Sequence, residues 1–197
     1  AVFFPRLASC LELSEERIAT RLEGDKRFVW LERKAKPKEA DCVRGLQLAG
    51  VGFVPESRRF YPKRFLAAQI LGYVGLDNEG MSGVEYALEE QIRGGAGRRI
   101  IWSDARQRRA ASRVEKPAIP GRSVHLTIDE NLQYIAETEL QRAVDETGSK
   151  NGIAILIRPD SGEILAMAAI PSFNPNRYGD YPASHWRNRS VMDVYEP

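Results

Sequence analysis

The residue types that could do chemistry in this chain are scattered and do not form a catalytic group by their spacing. The two histidines, His125 and His185, stand far apart and lack the spacing of metal ligands. His185 beside Trp186 could act as a general base, but no nucleophile is placed to use it, so a surface or packing role is favoured. These residues predict neither a metal site nor a cofactor.

Two basic stretches could bind an anion. The glycine-rich run 94–99 exposes backbone amides beside arginines, but it lacks the Lys-Ser/Thr of a phosphate-binding loop and follows a predicted helix. A helix terminator is therefore favoured there. A second cluster lacks the interleaved aromatic residues that stack on nucleic-acid bases, so a solvated loop is favoured and no nucleic-acid partner is expected. Its members are Arg106, Arg108, Arg109 and Arg113.

Charge divides the chain into two parts. Residues 1–115 carry 21 Lys/Arg and 16 Asp/Glu, a net +5, whereas residues 116–197 carry 8 and 11, a net −3, which together give the overall +2. This shift suggests two modules with different partners, although a solvated surface is the favoured interpretation of the basic part. No run approaches the roughly 18 apolar residues of a membrane span. Any targeting or anchoring segment is expected outside this sequence.

The two cysteines, Cys10 and Cys42, leave the redox compartment open. They could pair in an oxidising space, but spacing alone does not show that their Cα atoms come close enough. Because Cys42 falls on a predicted helix beside Val43 and Leu46, a buried free thiol is favoured over a disulfide.

Local signals predict mostly short elements before residue 122. Ser14 and the two acids after it favour a helix that Gly24 ends, and Pro37 suits the first turn of another, with Cys42 on its inner side. The spacing of Val84, Leu88 and Ile92 predicts one amphipathic helix ending at Gly94-Gly95. Further predictions are strands at 28–31, 51–54, 58–61 and 99–102, a short helix at 65–71, a turn at 77–80 and a polar boundary loop at 103–121.

The pattern becomes clearer after residue 122. Alternation at Ser123–Ile128 predicts a strand, and Asp129 can cap a long helix. Two apolar strands, 153–157 and 164–169, are joined by Pro159-Asp160-Ser161-Gly162, a turn sequence that predicts a β-hairpin. A loop-like region begins at Pro171. The predicted inner face of the helix carries Leu132, Ile135, Ala136, Leu140, Ala143 and Val144.

The order of the local sequences is more specific than any single motif. Arg59-Phe60-Tyr61-Pro62 resembles the Arg-x-Tyr-Pro element of class B penicillin-binding proteins, and the following segments keep that family's order. They are Leu66–Gly75, Gly83-Val84-Glu85, Val124–Asp129 with Leu132-Gln133, Gly162–Met167, Pro171–Asn176, Asn188-Arg189-Ser190 and Tyr195-Glu196-Pro197. The resemblance covers about residues 28–197. One departure is Arg64, where the family usually has glycine, which leaves the turn after Pro62 open.

The resemblance implies an α+β fold in two parts. A non-catalytic pedestal, the dimerisation-type domain, would cover residues 1–115 and lack its start. After a linker at 116–121, residues 122–197 would form the first part of a transpeptidase domain, the long helix plus the β-hairpin. Structural motif residues of the pedestal would be Arg59, Tyr61, Pro62, Gly83 and Glu85.

The family's chemistry is serine acyl transfer in peptidoglycan D,D-transpeptidation. A serine in a Ser-x-x-Lys motif attacks the stem peptide, an amine on a neighbouring strand resolves the acyl-enzyme, and β-lactams acylate the same serine. In relatives that serine follows the Tyr-Glu-Pro that here is Tyr195, Glu196 and Pro197, the expected approach to the active site. No segment matches Ser-x-x-Lys, Ser-x-Asn or Lys-Thr-Gly in the required context. We therefore expect this chain to be an inactive piece of a transpeptidase, cut before its nucleophile.

The resemblance also implies partners and a location. Phe28-Val29-Trp30-Leu31 followed by basic residues resembles the cell-division (septal) type more than the elongation type. The whole protein would face the periplasm from a membrane anchor outside this chain, act on stem peptides, and work with a glycan polymerase and division proteins. The alternative function is a non-catalytic interaction module for those proteins. We also expect Arg59 and Glu85 to form an ion pair that joins parts of the pedestal. The second module, residues 122–197, is expected to be poorly stable alone, or to pair with another copy or with residues outside this sequence, because apolar strand faces are exposed.

Overall fold

A computed structural model describes residues 3–24, 28–103 and 109–194. It contains both helices and β-hairpins, which confirms the α+β fold class. The chain divides into two compact units, an N-terminal unit of residues 1–58 and a C-terminal unit of residues 59–197. The domain boundary expected at the linker of residues 116–121 stays a prediction.

Three helices form the N-terminal unit: α1 (Phe4–Leu11), α2 (Glu15–Leu22) and α3 (Pro37–Gly45). The Ser14 side chain accepts a bond from the Arg17 backbone N–H at 3.3 Å, and the first turn of α2 is acidic, so the predicted start is confirmed. Pro37 occupies the first turn of α3, also as predicted. The buried core that these helices share comprises Leu7, Ala8, Cys10, Leu11, Ile18 and Val43.

The prediction for the cysteines is wrong. Cys10 and Cys42 form a disulfide between α1 and α3, with their Cα atoms 5.5 Å apart. Cys10 is buried, but Cys42 is exposed, because the inner side of α3 is occupied by Val43 instead. The bond depends on how two helices pack, which the spacing of the cysteines does not encode.

Three predicted strands are also absent from the part of the chain that the structure describes. Phe28–Leu31, Val51–Val54 and Arg58–Tyr61 are irregular. Phe28 is 63% exposed and stacks edge-on against Trp30, which carries the Arg33 guanidinium over its ring at 4.9 Å. These runs have β-prone residues, but a strand needs a hydrogen-bonded neighbour, and none of the three pairs with another strand in the described chain.

The C-terminal unit begins with turns and short helices. Turns over residues 62–67 lead into α4 (Ala68–Leu71), so the predicted helix at 65–71 is shorter than expected. The turn at 77–80 is confirmed, closed by a bridge between Val74 and Gly80. The amphipathic helix predicted around Val84, Leu88 and Ile92 is split at Leu88 into α5 (Gly83–Ala87) and α6 (Glu89–Ile92).

An antiparallel hairpin follows, made of β1 (Arg98–Ser103) and β2 (Arg109–Lys116). The strand predicted at 99–102 is confirmed as β1. The loop predicted for 103–121 is wrong where β2 lies. Arg106 and Arg108 of the basic cluster lie outside the described residues. Arg113 and Val114 are exposed in β2. The sequence of β2 has no regular alternation of apolar and polar residues, so it looks like a loop.

The long helix is α7 (Glu130–Thr147), which packs on a hairpin of β3 (Gly152–Ile157) and β4 (Ile164–Ile170). Asp129 accepts bonds from the backbone N–H groups of Asn131 and Leu132, which confirms the cap. Ile135, predicted to face inward, is 55% exposed, and Gln133 is fully buried instead. The strand predicted at Ser123–Ile128 is irregular, although Asp129 N–H donates to Leu165 O at 2.9 Å just beyond it.

The loop-like region after Pro171 contains three short helical elements, a 3₁₀ turn at Pro175–Asp180, α8 (Ala183–Trp186) and α9 (Arg189–Met192). Asn174 and Asn188 cap the first and last of them. Within the described ranges, no helix has the length and the hydropathy needed to cross a bilayer.

Candidate functional site

The backbone of Tyr61 is held at both ends by one side chain. Asn176 Oδ1 accepts from Tyr61 N–H at 2.9 Å, and Asn176 Nδ2 donates to Tyr61 O at 2.8 Å, across a sequence separation of 115 residues. Asn174 Oδ1 in turn accepts from Asn176 Nδ2 at 3.1 Å and orients the amide. This pair of bonds ties the Arg-x-Tyr-Pro segment directly to the Pro171–Asn176 segment.

The Tyr61 side chain joins a partly buried ion pair. Arg59 Nε donates to Glu85 Oε1 at 2.5 Å, and Tyr61 Oη donates to the same oxygen at 3.2 Å. The Glu85 side chain is 8% exposed and the Arg59 side chain 46% exposed. Burial, reinforced by the Glu85 carboxylate, raises the pKa of the Tyr61 phenol, so this hydroxyl stays a donor. The ion pair that the sequence predicted is present.

Gln69 is a second side chain that holds the backbone. Its Nε2 donates to Ala169 O at 3.3 Å, Pro171 O at 3.0 Å and His185 O at 3.3 Å. Since an amide nitrogen has two hydrogens, the three carbonyls share them. Gln69 is only 6% exposed, so the bonds are shielded from water and fix the end of β4 against α8.

An aromatic cluster packs beside Gln69. Tyr73 stacks on Tyr178 with ring centroids 4.3 Å apart, and contacts Phe173 and Trp186 edge-on at 5.9 Å and 5.2 Å. Trp186 Nε1 donates to Tyr178 O at 3.1 Å, so the polar atom of the indole is satisfied. Burial, and then the neighbouring Tyr178, raise the pKa of Tyr73. His185 Nδ1 lies 3.2 Å from Ser172 O, in agreement with the packing role.

The long helix makes a matching contact to β4. Gln133 Nε2 donates to Met167 O at 2.9 Å, and Met167 N–H donates to Gln133 Oε1 at 2.8 Å. The same Nε2 donates to Glu137 Oε1 at 2.6 Å, and that oxygen also accepts from Ala67 N–H at 2.8 Å. Burial raises the pKa of Glu137, and the two donated bonds oppose the rise. Glu137 therefore links α7 to the first turn of α4.

Two glycines allow the motif segments to cross closely. A Cβ on Gly83 would lie 2.5 Å from Ile70 O, and a Cβ on Gly72 would lie 1.9 Å from Ser82 O. Both residues also have positive φ, +58° and +79°. Any side chain at these positions would therefore clash with backbone and adopt a strained conformation, which explains why glycine stands in both motifs.

The remaining predicted site residues lie around this network. Pro62 is exposed and opens a turn in which Arg64 N–H donates to Tyr61 O at 3.2 Å. Arg64 has φ +54°, so the position where the family usually has glycine is in the left-handed region. Tyr195, Glu196 and Pro197 lie outside the described residues.

Within the described residues, no group of three or more His, Cys, Asp or Glu side chains is suited to hold a metal. The bare Ser-x-Asn spacing occurs at Ser149-Lys150-Asn151, in the exposed turn between α7 and β3, where the Ser149 hydroxyl bonds to the Thr147 hydroxyl at 2.8 Å. What the network can do is position backbone, namely the segment from Ala169 to His185.

The chain belongs to the penicillin-binding proteins. The family model described as the penicillin-binding protein dimerisation domain matches residues 2–126, and the penicillin binding protein transpeptidase domain matches residues 152–197. The predicted resemblance is thereby confirmed. The network described above joins residues of the first match, such as Tyr61 and Gln69, to residues of the second, such as Asn176 and Ala169.

Named relatives match over nearly the whole chain. The "Probable peptidoglycan D,D-transpeptidase PbpC" of Pseudomonas aeruginosa is 38% identical over 196 residues, covering 98% of this chain and 35% of that protein. "Peptidoglycan D,D-transpeptidase FtsI" of Escherichia coli is 34% identical over 193 residues, covering 97% of this chain and 33% of that protein. The chain thus spans about a third of the length of these relatives.

Solved structures agree on the fold. A peptidoglycan synthetase from Bifidobacterium adolescentis aligns with a TM-score of 0.55 at 25% identity, over 87% of this chain and 32% of that one. Penicillin Binding Protein 2X from Streptococcus thermophilus aligns with a TM-score of 0.60 at 22% identity, over 95% of this chain and 31% of that one.

Gln69, Gln133 and Asn176 stand within family motifs, but the sequence alone indicates no role for them. Their partners are 34 to 116 residues away, so no local pattern reports the contact. One signal was available for Gln133: it follows Leu132 on the predicted inner side of a capped helix, where a polar residue needs a hydrogen-bonding partner.

Proposed function

We propose that the whole protein is a peptidoglycan D,D-transpeptidase that uses serine acyl transfer, and that these 197 residues connect its pedestal to its catalytic domain. Stem peptides would be its substrates, and β-lactams would acylate the same serine. The names of the relatives support this activity. The contribution of this chain would be structural, because its network reaches from the pedestal motifs to the segment that leads toward Tyr195-Glu196-Pro197.

One observation carries the connecting role. The Gln69 side chain bonds three carbonyls of the Ala169–His185 segment, and Asn176 bonds both backbone groups of Tyr61. Side chains of one module therefore fix the backbone of the other in both directions. A catalytic serine positioned by the second module would depend on these bonds for its geometry, since small displacements of reacting groups have large effects on rate.

The test uses the full-length protein and a fluorescent penicillin. Gln69→Ala and Asn176→Ala should slow acylation by about tenfold each, as expected for loss of a positioning contact worth somewhat more than 1 kcal/mol. Gln141→Ala is the matched control, because Gln141 is an exposed glutamine of α7 that bonds only Asp145 in the described contacts. Unchanged acylation in folded Gln69 and Asn176 variants would contradict the connecting role.

The 197-residue chain itself gives a second check. It contains no Ser-x-x-Lys spacing, so it should form no covalent adduct with the labelled penicillin. An adduct that survives denaturation would refute the assignment of the nucleophile to residues outside this chain.

We propose further that the protein acts in septal wall synthesis from the extracytoplasmic side of the membrane, with its anchor and a glycan polymerase partner outside this sequence. The relatives named FtsI favour the division role. The Cys10–Cys42 disulfide favours an oxidising compartment, because disulfides persist outside the cytoplasm. Depletion of the protein should give filaments of unseparated cells. A change in cell width without filamentation would favour an elongation role.

The alternative, a non-catalytic interaction module, is favoured by one observation. Large apolar side chains beside the pedestal motifs remain exposed, among them Phe60 at 70%, Tyr86 at 67% and Met81 at 51%. Photo-crosslinking from position 86 in the full-length protein should capture a division protein if this surface docks one. Capture that is retained when the penicillin-reactive serine is inactivated would establish docking as a function separate from catalysis.

A further inference from the structure

The Cys10–Cys42 disulfide joins a buried residue to an exposed one. Cys10 lies in the core of the N-terminal unit and is 8% exposed, whereas Cys42 is an exposed residue of α3. We propose that this disulfide is a thiol–disulfide exchange site, at which an extracytoplasmic dithiol attacks Cys42 and releases the α1–α3 connection. This proposal is independent of the transpeptidase function.

Accessibility decides which sulfur is attacked. A thiolate must approach the sulfur it displaces, and the core around Cys10 is filled by Leu7, Leu11 and Ile18. The mixed disulfide is therefore expected on Cys42, with Cys10 as the leaving sulfur. Because Cys10 leaves into an apolar core that disfavours its thiolate, the reaction should be slower than at a fully exposed disulfide.

Charge around Cys42 suits an anionic nucleophile. Lys38 precedes Cys42 by four residues, so both lie on the same face of α3, and Lys38 is exposed. The two acids near Cys42 are each paired with a cation, Glu39 with Lys36 and Asp41 with Arg44, which reduces their repulsion of a thiolate. A cation on the open face favours the approach of a thiolate and stabilises it.

The exchange step balances with a dithiol as reductant. One thiolate of the dithiol attacks Cys42 Sγ, the Cys10–Cys42 bond breaks, and Cys10 leaves as a thiolate that takes up a proton. The second sulfur of the dithiol then attacks, as a thiolate, the dithiol sulfur that is bonded to Cys42. This forms the disulfide of the reductant and releases the Cys42 thiolate, which takes up the second proton. The chain gains two electrons and two protons, and the dithiol becomes a disulfide.

Release of this bond should affect the N-terminal unit selectively. The core there is small, and the bond closes the chain from α1 to α3 across 32 residues that include all of α2. Polar contacts between its segments, such as Arg21–Glu32 and Lys36–Glu12, involve partly or largely exposed side chains. The C-terminal unit has no cysteine, so reduction cannot act on it directly.

The first test identifies the attacked sulfur. The folded, oxidised 197-residue chain is incubated with glutathione, and separately with a thioredoxin whose resolving cysteine is replaced by serine, and the adducts are located by peptide mass spectrometry. We expect the mixed disulfide on Cys42 in both arms, and at least tenfold less on Cys10. Adducts mainly on Cys10, or none in either arm, would overturn the proposal. Adducts with glutathione alone would also overturn the proposal, because glutathione is a monothiol and the proposed reductant is a dithiol.

The second test measures the consequence by hydrogen exchange before and after reduction with dithiothreitol. Amides of α1 and α3 should exchange at least tenfold faster in the reduced chain, while amides of α7, β3 and β4 keep their rates. The double variant Cys10→Ser/Cys42→Ser is the control and should not respond to reductant. Equal protection of α1 and α3 in both redox states would show that the bond does not control the unit. The first test uses the chain without substitutions, so its result does not depend on whether the double variant folds.

Discussion

The two units of the chain are stabilised in different ways. The N-terminal unit relies on apolar helix faces and one covalent bond, and its polar contacts are exposed pairs at the surface. The C-terminal unit relies on buried carboxamides, in which Gln69, Gln133 and Asn176 each bond backbone groups far away in sequence. Helices joined by a disulfide tolerate variation in their side chains, whereas carboxamide contacts fix both the residue and the position of its backbone target.

This difference accounts for the distribution of the family motifs. They concentrate in the C-terminal unit, where several motif residues meet a particular backbone group or leave space for one. Gly72 and Gly83 leave space for neighbouring backbone, and the side chains of Gln69 and Asn176 form hydrogen bonds with backbone groups. The comparison predicts that substitutions in the C-terminal unit are costly where they alter backbone contacts.

The largest effect should come from Gly83→Ala. The added Cβ would lie 2.5 Å from Ile70 O at a residue with φ +58°, so both a clash and backbone strain result. We expect a loss of about 3 kcal/mol or more in the free energy of unfolding, measured by urea denaturation. Gly45→Ala is the control in the N-terminal unit, since nothing lies within 4 Å of its Cβ and it ends a helix. A similar small effect for both would remove the distinction between the units.

The next-largest effect should come from Gln133→Ala, with a loss of about 2–4 kcal/mol in the free energy of unfolding. The substitution leaves both backbone groups of Met167 without their partner inside the structure and opens a cavity at a fully buried position. Gln141→Ala on the exposed side of the same helix is the control, and should change stability by less than about 0.5 kcal/mol. Equal costs at the two positions would mean that helix propensity, not the bond to β4, is being measured.

Arg59 and Glu85 should couple by about 1 kcal/mol in a double-mutant cycle of alanine substitutions. The estimate is modest because the Arg59 side chain is 46% exposed, although the Glu85 side chain is only 8% exposed. Glu85→Ala alone should cost more than Arg59→Ala, because it also removes the acceptor for Tyr61 Oη. Zero coupling would reduce the pair to two independent residues.

Glu137→Gln should change the pH dependence of stability. Because burial raises the pKa of Glu137 above its ordinary value of 4.5, the ionised form is penalised in the folded chain. The native protein therefore loses stability relative to the variant as the pH rises through the folded pKa, and the difference vanishes below about pH 4.5. Glutamine keeps an acceptor for Ala67 N–H. Thermal melts from pH 4 to 8, with Glu139→Gln as the exposed control, measure this, and a pH-independent difference would contradict it.

The smallest expected effect is a gain from Arg64→Gly. Arg64 has φ +54°, where glycine avoids the strain of an L side chain but loses more entropy on folding, so we expect about 0.5–1 kcal/mol of added stability. Arg93→Gly is the matched control and should destabilise, because Arg93 has helical φ and ψ. A loss of stability at both positions would show that the Arg64 side chain makes a contact worth more than the strain.

The parts of the fold that follow from local chemistry were predictable. Ser14 and Asp129 cap their helices, Pro37 begins one, and the turn at 159–162 joins β3 to β4, because each signal acts within a few residues. Predictions failed for features whose structure depends on a residue or strand that is distant in sequence. Phe28–Leu31 has strand composition but no strand to pair with in the described chain, and Cys42 meets Cys10 only after α1 and α3 pack.

The residues of the candidate site also differ in whether their contacts could be predicted from the sequence. The charge of Arg59 and Glu85 and their place in two motifs predicted their contact, and this contact is present. The position of Gln133 on its helix indicated that it needs a partner, but not which one. The roles of Gln69 and Asn176 were not predictable, because an amide side chain carries no sign that identifies its partner, and the targets are main-chain atoms that every residue possesses.

The bond between Asn176 and Tyr61 also sets an order of events during synthesis. These residues are 115 positions apart, so the Tyr61 backbone cannot obtain its final partner until the second hairpin and the segment after it have left the ribosome. Contacts of such separation form late and slow the folding of a domain, because a long loop must close first. Until then the Arg-x-Tyr-Pro segment keeps its amide and carbonyl exposed to solvent or to a chaperone. Completion of the pedestal motif therefore waits for the first strands of the next domain.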